Sequence, residues 1–244
     1  MTPEHDTNDL TNDLGQPIGV PVEGWTPRPR PPLTAMTGRF CRVEPLDPAR
    51  HAEELFAANS RDREGRMWTY LPWGAYTAFE DYLAALKTGL QREDFITYAV
   101  IDVASGRSAG VASYLNINSA AGSIEVGAIA YSPALQRTPA ATEAMYLMMR
   151  RVFDELGYRR YEWKCNALNA PSRAAAARYG FRYEGLFRQA DVVKGRNRDT
   201  AWFSIIDSEW PAIKAAFEHW LDRGNFDAEG RQRVSLSSLT RALR

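Results

Sequence analysis

Residues 129–144, which read IAYSPALQRTPAATEA, constrain the fold of this chain more than any other segment. A strand-like run ends at Ser132-Pro133, a short polar loop follows, and a helix begins at Thr138-Pro139. This order is a common phosphate-binding arrangement in α/β proteins. The first amides of a helix have no intrahelical partner, and the dipole adds about half a positive charge there. The segment therefore predicts an α/β fold in which strands lead into helices.

The loop and first helical turn of this segment form a candidate anion site. Thr138 is expected to cap the helix and Pro139 to be its first residue. The amides that follow would then face an anion, with two polar loop side chains beside them. These candidates are Gln136, Arg137, Thr138, Ala140, Ala141 and Thr142. An ordinary helix start that binds nothing explains the same pattern equally well.

A second candidate segment is NAPSRAAAARYGF at residues 169–181. Asn169 is a natural N-cap, Pro171 falls in the first turn, and the alanines allow a short helix to pack closely. Two interpretations stay open for Asn169 and Ser172. Either they only cap the helix, or they face a ligand at the strand ends that also carry the first loop.

The remaining periodicity predicts a mixed sheet with helices on both faces. The arrangement is a run of strands, a central helix, a strand, a helix and two more strands. Strands are predicted over 39–43, 95–102, 109–116, 123–131, 158–165, 181–194 and 198–207, and helices over 48–59, 77–90, 139–156, 170–179 and 209–222. Residues 1–34, with PRPRPP at 27–32, predict a disordered or extended arm.

Composition excludes several classes of function. Thirty basic and thirty acidic side chains cancel in 244 residues, so no global field favours nucleic acid or an acidic membrane. Two cysteines and three scattered histidines disfavour a disulfide framework and a metal site. The sequence carries neither a signal-peptide pattern nor an apolar run long enough to span a membrane, so the default prediction is a cytoplasmic location. A flavin or nicotinamide enzyme is disfavoured because no glycine fingerprint follows a first strand.

The two segments together resemble the GNAT (Gcn5-related) N-acetyltransferase superfamily, most closely its branch related to ribosomal-protein N-terminal acetyltransferases. In that superfamily the fourth strand leads into a Gln/Arg-x-x-Gly-x-Gly/Ala loop, which cradles the pyrophosphate of acetyl-CoA. Gln136, Pro139 and Ala141 take these three places. Pro139 departs from the pattern because it removes a backbone donor and the flexibility of glycine, and Arg137 is a candidate to compensate by charge.

The later part of the resemblance is an Asn-x-x-Ser…Gly-Phe pattern. It is matched by Asn169, Ser172, Gly180 and Phe181. The resemblance covers about residues 36–210 and implies an α/β (α+β) fold, a GNAT-like mixed, mostly antiparallel sheet of about seven strands with helices on both faces. It implies an arm over 1–34, an acetyltransferase domain over 35–210, and a C-terminal helix and tail over 211–244.

The resemblance also implies a chemistry with acetyl-CoA as co-substrate and no metal. An amine attacks the thioester directly, a tetrahedral oxyanion forms, and the thiolate of CoA leaves. Glu125, in the strand SIEVGAIAY, is at the place of the base that takes the proton of the amine, although a solvent-facing residue of an alternating strand is the alternative. A backbone amide near Ile129 would stabilise the oxyanion, and the backbone of Ile129 and Tyr131 would pair with pantetheine.

Ser172 matches the serine that protonates the thiolate in similar enzymes, and Asn169 would orient the pantetheine. Tyr179 is the second candidate acid. For the acceptor, Trp68, Tyr70 and Trp73 lie in the loop where the superfamily usually builds its pocket, although they could equally be core residues. The other candidates for the rim are charged residues of a predicted turn region: Glu184, Arg188 and residues 196–199 (RNRD).

Two functions follow from these residues. The first is an N-acetyltransferase with Glu125 as base, Ser172 as acid, and a small molecule or a protein N-terminus as acceptor. The second is a non-catalytic acyl-CoA-binding or regulatory module with the same fold, which the altered pyrophosphate loop keeps open. The expected partners are the amine acceptor and, by analogy, a second copy of the chain in a homodimer. Neither nucleic acid nor a membrane is expected.

Overall fold

The computed structural model of the chain describes residues 10–243. The start of the predicted arm, residues 1–9, lies outside the described residues. Within 10–243, eight strands form one sheet: β1 (Met36–Thr37), β2 (Cys41–Pro45), β3 (Ile96–Asp102), β4 (Arg107–Asn118), β5 (Ser123–Tyr131), β6 (Arg160–Asn166), β7 (Arg182–Val193) and β8 (Arg196–Ile206). Six α-helices accompany them: α1 (Pro48–Asn59), α2 (Phe79–Leu90), α3 (Pro139–Arg150), α4 (Ala170–Arg178), α5 (Trp210–Leu221) and α6 (Leu236–Arg241).

The strands lie in the order β1-β2-β3-β4-β5-β6-β8-β7. Every neighbouring pair is antiparallel except β5 and β6, which run parallel because α3 carries the chain across between them. The predicted mixed, mostly antiparallel sheet with helices on both faces is confirmed. The count differs by one, because β1 is only two residues long and too short to produce a periodic signal.

Two apolar cores lie on opposite faces of the sheet. The larger packs α3, α4 and α5 against one face, with fully buried residues such as Met148, Tyr161 and Phe217. The smaller packs α1 and α2 against the other face around Leu55 and Trp68. The two cores show that this sheet is covered on both sides, as its near-continuous apolar strands require.

Two helical details differ from the sequence prediction. The helix predicted over 139–156 is α only to Arg150 and then continues as a π-helical turn, Arg151–Glu155. The stretch after α5, expected as a polar tail, contains α6, which begins at an N-cap formed by Ser235 and buries Leu236. Both features depend on packing against distant parts of the chain, which local periodicity does not report.

Candidate active site

The two parallel strands separate halfway along their length. β5 pairs with β6 only from Ser123–Arg160 to Val126–Trp163. Beyond that point β5 continues to Tyr131 and β6 to Asn166, but the two strands no longer pair with each other. A cleft of about 580 Å³ opens between them, and it also reaches α4, the loop before α3 and Met145 within α3.

A β-bulge at Ala128 decides which side chains of β5 face which side of the sheet. β5 takes three steps from Gly127 to Ala130, where β4 takes two from Ser113 to Val111, and Ala128 has a φ of 50°. One extra residue inverts the alternation of all that follow. As a result Glu125, Gly127 and Ala130 face the α1/α2 side, whereas Ile129 and Tyr131 pack against the core on the α3 side, as Ile124 and Val126 do.

Glu125 is only 5% exposed and lies on the wall of this cleft. Asn116 Nδ2 donates a hydrogen bond to its Oε2 at 2.7 Å, and Lys164 Nζ lies 2.9 Å from the same oxygen. Oε1 lies beside Gly127, 3.2 Å from the position of a Cβ there. Burial raises the pKa of Glu125, while Lys164 and Asn116 partly offset the increase and Glu162 adds to it. A buried carboxylate with a raised pKa has the properties that a general base requires.

Lys164 is a site residue that sequence reasoning missed. Its ammonium bridges Glu125 and Glu162 Oε2, at 2.8 Å from the latter, and lies over the Trp202 ring at 3.8 Å from its centroid. Alternation along β6 (RYEWKCN) places Glu162 and Lys164 on one face and Trp163 on the other. That pattern was available in the sequence, but the pairing of β6 with β5, which brings Lys164 to Glu125, was not.

The start of α3 forms as expected but uses most of its own donors. Thr138 is the N-cap, and its Oγ1 accepts the Ala141 amide at 3.1 Å. The Thr142 amide donates to the Thr138 carbonyl, and Pro139 has no amide hydrogen. The amides of Ala140, Ala141 and Thr142 were expected to face an anion. Within residues 10–243, only the Ala140 amide has no hydrogen-bond acceptor.

The loop before α3 contains the other two candidates for anion binding, Gln136 and Arg137, and begins at the end of β5. Gln136 Nε2 donates to the Tyr131 carbonyl at 2.7 Å, so that carbonyl is already bonded within the protein. Arg137 is exposed and has a φ of 62°, which turns the chain sharply into the helix. The Tyr131 hydroxyl is buried without a hydrogen-bond partner.

The second motif lies across the cleft from β5. Asn169 caps α4 by accepting the Ser172 amide at 3.1 Å. The indole Nε1 of Trp163 donates to Ser172 Oγ at 3.0 Å. An indole N–H only donates, so the hydroxyl proton of Ser172 is left to donate elsewhere.

Tyr179 forms the C-cap of α4 and also lines the cleft. Burial raises its pKa, and Arg178 and the Thr142 hydroxyl partly offset this. Both candidate acids therefore lie on one helix, on the side of the cleft opposite Glu125.

The three aromatic candidates for the acceptor pocket have different environments. Trp68 is buried in the smaller core, edge-on to Tyr76. The Tyr70 hydroxyl donates to the Leu168 carbonyl at 3.1 Å, which links the aromatic loop to the segment before α4. Trp73 is half-buried and lines the cleft, and Lys194 Nζ holds the carbonyls of Trp68 and Trp73 at 2.9 and 3.3 Å.

The charged rim candidates are not brought together with Glu125. Glu184 forms an ion pair with Arg160 and accepts a hydrogen bond from Ser204, which holds its pKa below the usual range, the Arg160 contact being the largest cause. Asp199 accepts the Gln189 amide and an Asn197 amide hydrogen at the hairpin of β7 and β8. The remaining rim positions include exposed Arg188 and Arg196. Residues 196–199 (RNRD) are the first residues of β8 and not a turn, and of these four only Arg198 lines the cleft.

Two further observations concern metal-binding groups and membrane-spanning helices. In residues 10–243, no group of three or more His, Cys, Asp or Glu side chains could hold a metal ion. No helix in that part of the chain is long and apolar enough to cross a membrane.

The sheet thus separates between its two parallel strands, and a strand–loop–helix motif lies beside the separation. A family model described as an acetyltransferase (GNAT) domain matches residues 42–182. The chain therefore belongs to the GNAT acetyltransferases, and the resemblance inferred from its motifs is confirmed.

Solved structures agree with this assignment. A GCN5-related N-acetyltransferase from Brucella melitensis is 48% identical, with a TM-score of 0.88, over 90% of this chain and all of the other. A probable acetyltransferase of the GNAT family from Chromobacterium violaceum is 40% identical, with a TM-score of 0.75, over 80% of this chain and 98% of the other. RimL, a ribosomal L7/L12 α-N-protein acetyltransferase solved with coenzyme A, shares the fold at 20% identity and a TM-score of 0.60, over 71% and 99%. A comparison with curated proteins finds no match.

Proposed function

We propose that this protein transfers the acetyl group of acetyl-CoA to an amine by direct attack, with Glu125 as the base. The observation that carries the proposal is the position of Glu125. It is a buried carboxylate one residue before β5 separates from β6, so it lies beside the open edge of the strand. A cytoplasmic location and a homodimer remain part of the proposal.

The residues around the cleft suit CoA in three ways. β5 beyond Val126 has no strand partner on the β6 side, so an extended pantetheine arm can pair with it there. The Ala140 amide and the exposed Arg137 lie where the pyrophosphate would reach the start of α3. Asn169 lies across the cleft, where it would orient the arm. When bound, acetyl-CoA supplies an activated thioester.

Each step of the transfer has a residue in this arrangement. Glu125 accepts the proton of the incoming ammonium through Oε1, directly or through water, while Lys164 and Asn116 hold Oε2. The amide of Ile129, next to the bulge, donates to the oxygen on which negative charge develops. Ser172 donates its proton to the departing thiolate, since the Trp163 indole already occupies an acceptor site of the hydroxyl.

The test combines binding and turnover. We expect acetyl-CoA and CoA to raise the melting temperature, and the protein to release CoA thiol when a panel of primary amines is added. Binding without acetyl transfer to any amine would support a non-catalytic module instead. Absence of binding would contradict both functions.

A further inference from the structure

A second cavity, of about 360 Å³, lies between α2 and strands β3, β4 and β5. Its walls are mainly aromatic and aliphatic, and the aromatic residues are Trp68, Trp73, Tyr76, Tyr82 and Phe95. Aromatic side chains bury large areas and give a cavity of defined shape. The cavity is large enough for a small organic group.

This cavity adjoins the proposed point of acetyl transfer. It shares Trp73, Ala128 and Ala130 with the cleft that contains Glu125. Because of the bulge at Ala128, Ala130 and Glu125 face the same side of the sheet. A molecule whose amine reaches Glu125 from the α1/α2 side therefore has its remaining atoms at the mouth of this cavity.

The lining of the cavity offers no carboxylate to a charged guest. None of the described lining residues is acidic. Thr97 Oγ1 and Ser113 Oγ satisfy each other at 2.9 Å. The cationic side chain, Arg92, forms an ion pair with Asp94 at 2.6 Å and stacks on Phe95. A second ammonium would be buried here without a carboxylate partner, which is costly.

We propose that this cavity binds the uncharged apolar body of the acceptor, an aromatic or branched aliphatic group attached to the reacting amine. The inference rests on the proposed function, and it specifies the acceptor as a monoamine with an apolar substituent. Polyamines and aminoglycosides do not fit it, because they carry further ammonium groups where the cavity has no carboxylate.

The experiment compares amines that differ only in the body attached to the amine. Acetyl transfer and calorimetric binding are measured for phenethylamine, ethanolamine and spermidine with the full-length protein. We expect kcat/KM for phenethylamine to exceed that for ethanolamine by about tenfold or more, the range that apolar pocket contacts provide. Calorimetry gives a separate readout, since phenethylamine should bind even if no acetyl group is transferred, so the cavity and the proposed reaction can fail independently.

Two alanines of α2 provide a matched pair of variants. Ala85 lines the cavity, whereas Ala84, its neighbour, is exposed. Ala85→Trp should fill the cavity and lower the phenethylamine rate to about that of ethanolamine, with the affinity for acetyl-CoA unchanged. Ala84→Trp should behave as the wild type in all three measurements.

Three results would overturn the inference. The first is a preference for spermidine or ethanolamine over phenethylamine. The second is an Ala85→Trp protein that retains the wild-type preference among amines. In the third, Ala85→Trp changes the selectivity between acetyl-CoA and octanoyl-CoA but not among amines, which would assign the cavity to the acyl chain.

Discussion

Among single residues, Glu125 has the environment that most clearly links structure to chemistry. Burial opposes its ionisation, and the nearby Glu162 does so as well, whereas Lys164 and Asn116 favour the charged form. Burial is the largest of these influences, so the pKa of Glu125 is raised, which suits a base that must be ionised to accept a proton yet basic enough to hold it. We therefore expect Lys164 to be a positioning residue whose charge affects the pH range of the reaction.

Replacing Lys164 tests this role. A general base works only when ionised, so kcat/KM should rise with pH as Glu125 loses its proton. Because Lys164 lowers a pKa that burial raises, Lys164→Met should raise the pKa of Glu125 further and move the acidic limb of the pH profile to higher pH. The matched control is Lys87→Met, since Lys87 is exposed on α2. An acidic limb at the wild-type position in Lys164→Met would contradict the role.

Sequence motifs predicted the interactions of the candidate site residues only where both partners are close in the sequence. Thr138 and Asn169 cap their helices as their residue types indicate, because a cap involves amides two or three residues away. Lys164 was missed, because its contact with Glu125 requires the pairing of β5 with β6. Trp68 shows the same limit, since the sequence does not distinguish an aromatic loop residue that packs in the core from one that lines a cavity, and Trp68 does both.

Among the elements, α3 is held by a buried side chain in its second turn, Glu143, to which the sequence analysis assigned no role. The buried carboxylate of Glu143 accepts the amides of Arg39, Phe40 and Cys41, at 2.8 Å for Arg39 and Cys41. A side chain on Gly38 would collide with this carboxyl group. Glu143 therefore fixes α3 to the turn between β1 and β2 and holds the loop before the helix against the sheet.

Glu143→Gln should lower the free energy of unfolding by about 2–3 kcal/mol. It replaces charge-assisted hydrogen bonds by weaker ones and turns an amide group toward backbone donors. Urea denaturation measures the change, with Glu53→Gln on the exposed side of α1 as the control. Equal denaturation midpoints for Glu143→Gln and the wild type would show that these hydrogen bonds contribute nothing.

The start of α3 leads to a prediction about CoA recognition. Since Pro139 and the Thr138 cap leave few free amides, we expect the charge of Arg137 to provide part of the affinity for the pyrophosphate. Arg137→Gln should weaken CoA binding by about tenfold and leave pantetheine, which lacks the pyrophosphate, unaffected. Calorimetry with both ligands tests this, and exposed Arg107→Gln on β4 is the control. An equal loss for both ligands, or no loss, would count against a phosphate contact.

Over the whole molecule, the elements were predictable but their assembly was not. The helix over 48–59 and the strand over 123–131 have the predicted bounds, because Asp47-Pro48 and the turn at 120–122 act locally. Other features depend on contacts between residues far apart in the sequence. These are the strand order, in which β8 lies between β6 and β7, and the separation of β5 from β6 after Val126. The resemblance to a known family implied a mixed, mostly antiparallel sheet, but not these details.

The segment before β1 also stabilises the molecule from a distance. The Trp25 indole donates to the Ala120 carbonyl at 2.8 Å and lies against Gly122, while Arg28 stacks on its ring. Trp25→Ala should lower the free energy of unfolding by about 1–2 kcal/mol without changing acetyl transfer, because the contact is at the turn between β4 and β5, not in the cleft. Chemical denaturation measures the free energy of unfolding, and the acetyl-transfer rate is measured under conditions in which the variant is folded. A lower transfer rate of the folded variant would contradict the prediction.

The measurement that tests the central claim most directly is single-turnover acetyl transfer by Glu125→Gln, with the affinity for acetyl-CoA measured in parallel. The glutamine keeps the shape of the side chain but cannot accept the proton. The account predicts a transfer rate lower by about a hundredfold and an affinity within about twofold of the wild type. An unchanged transfer rate at equal affinity would contradict Glu125 as the base.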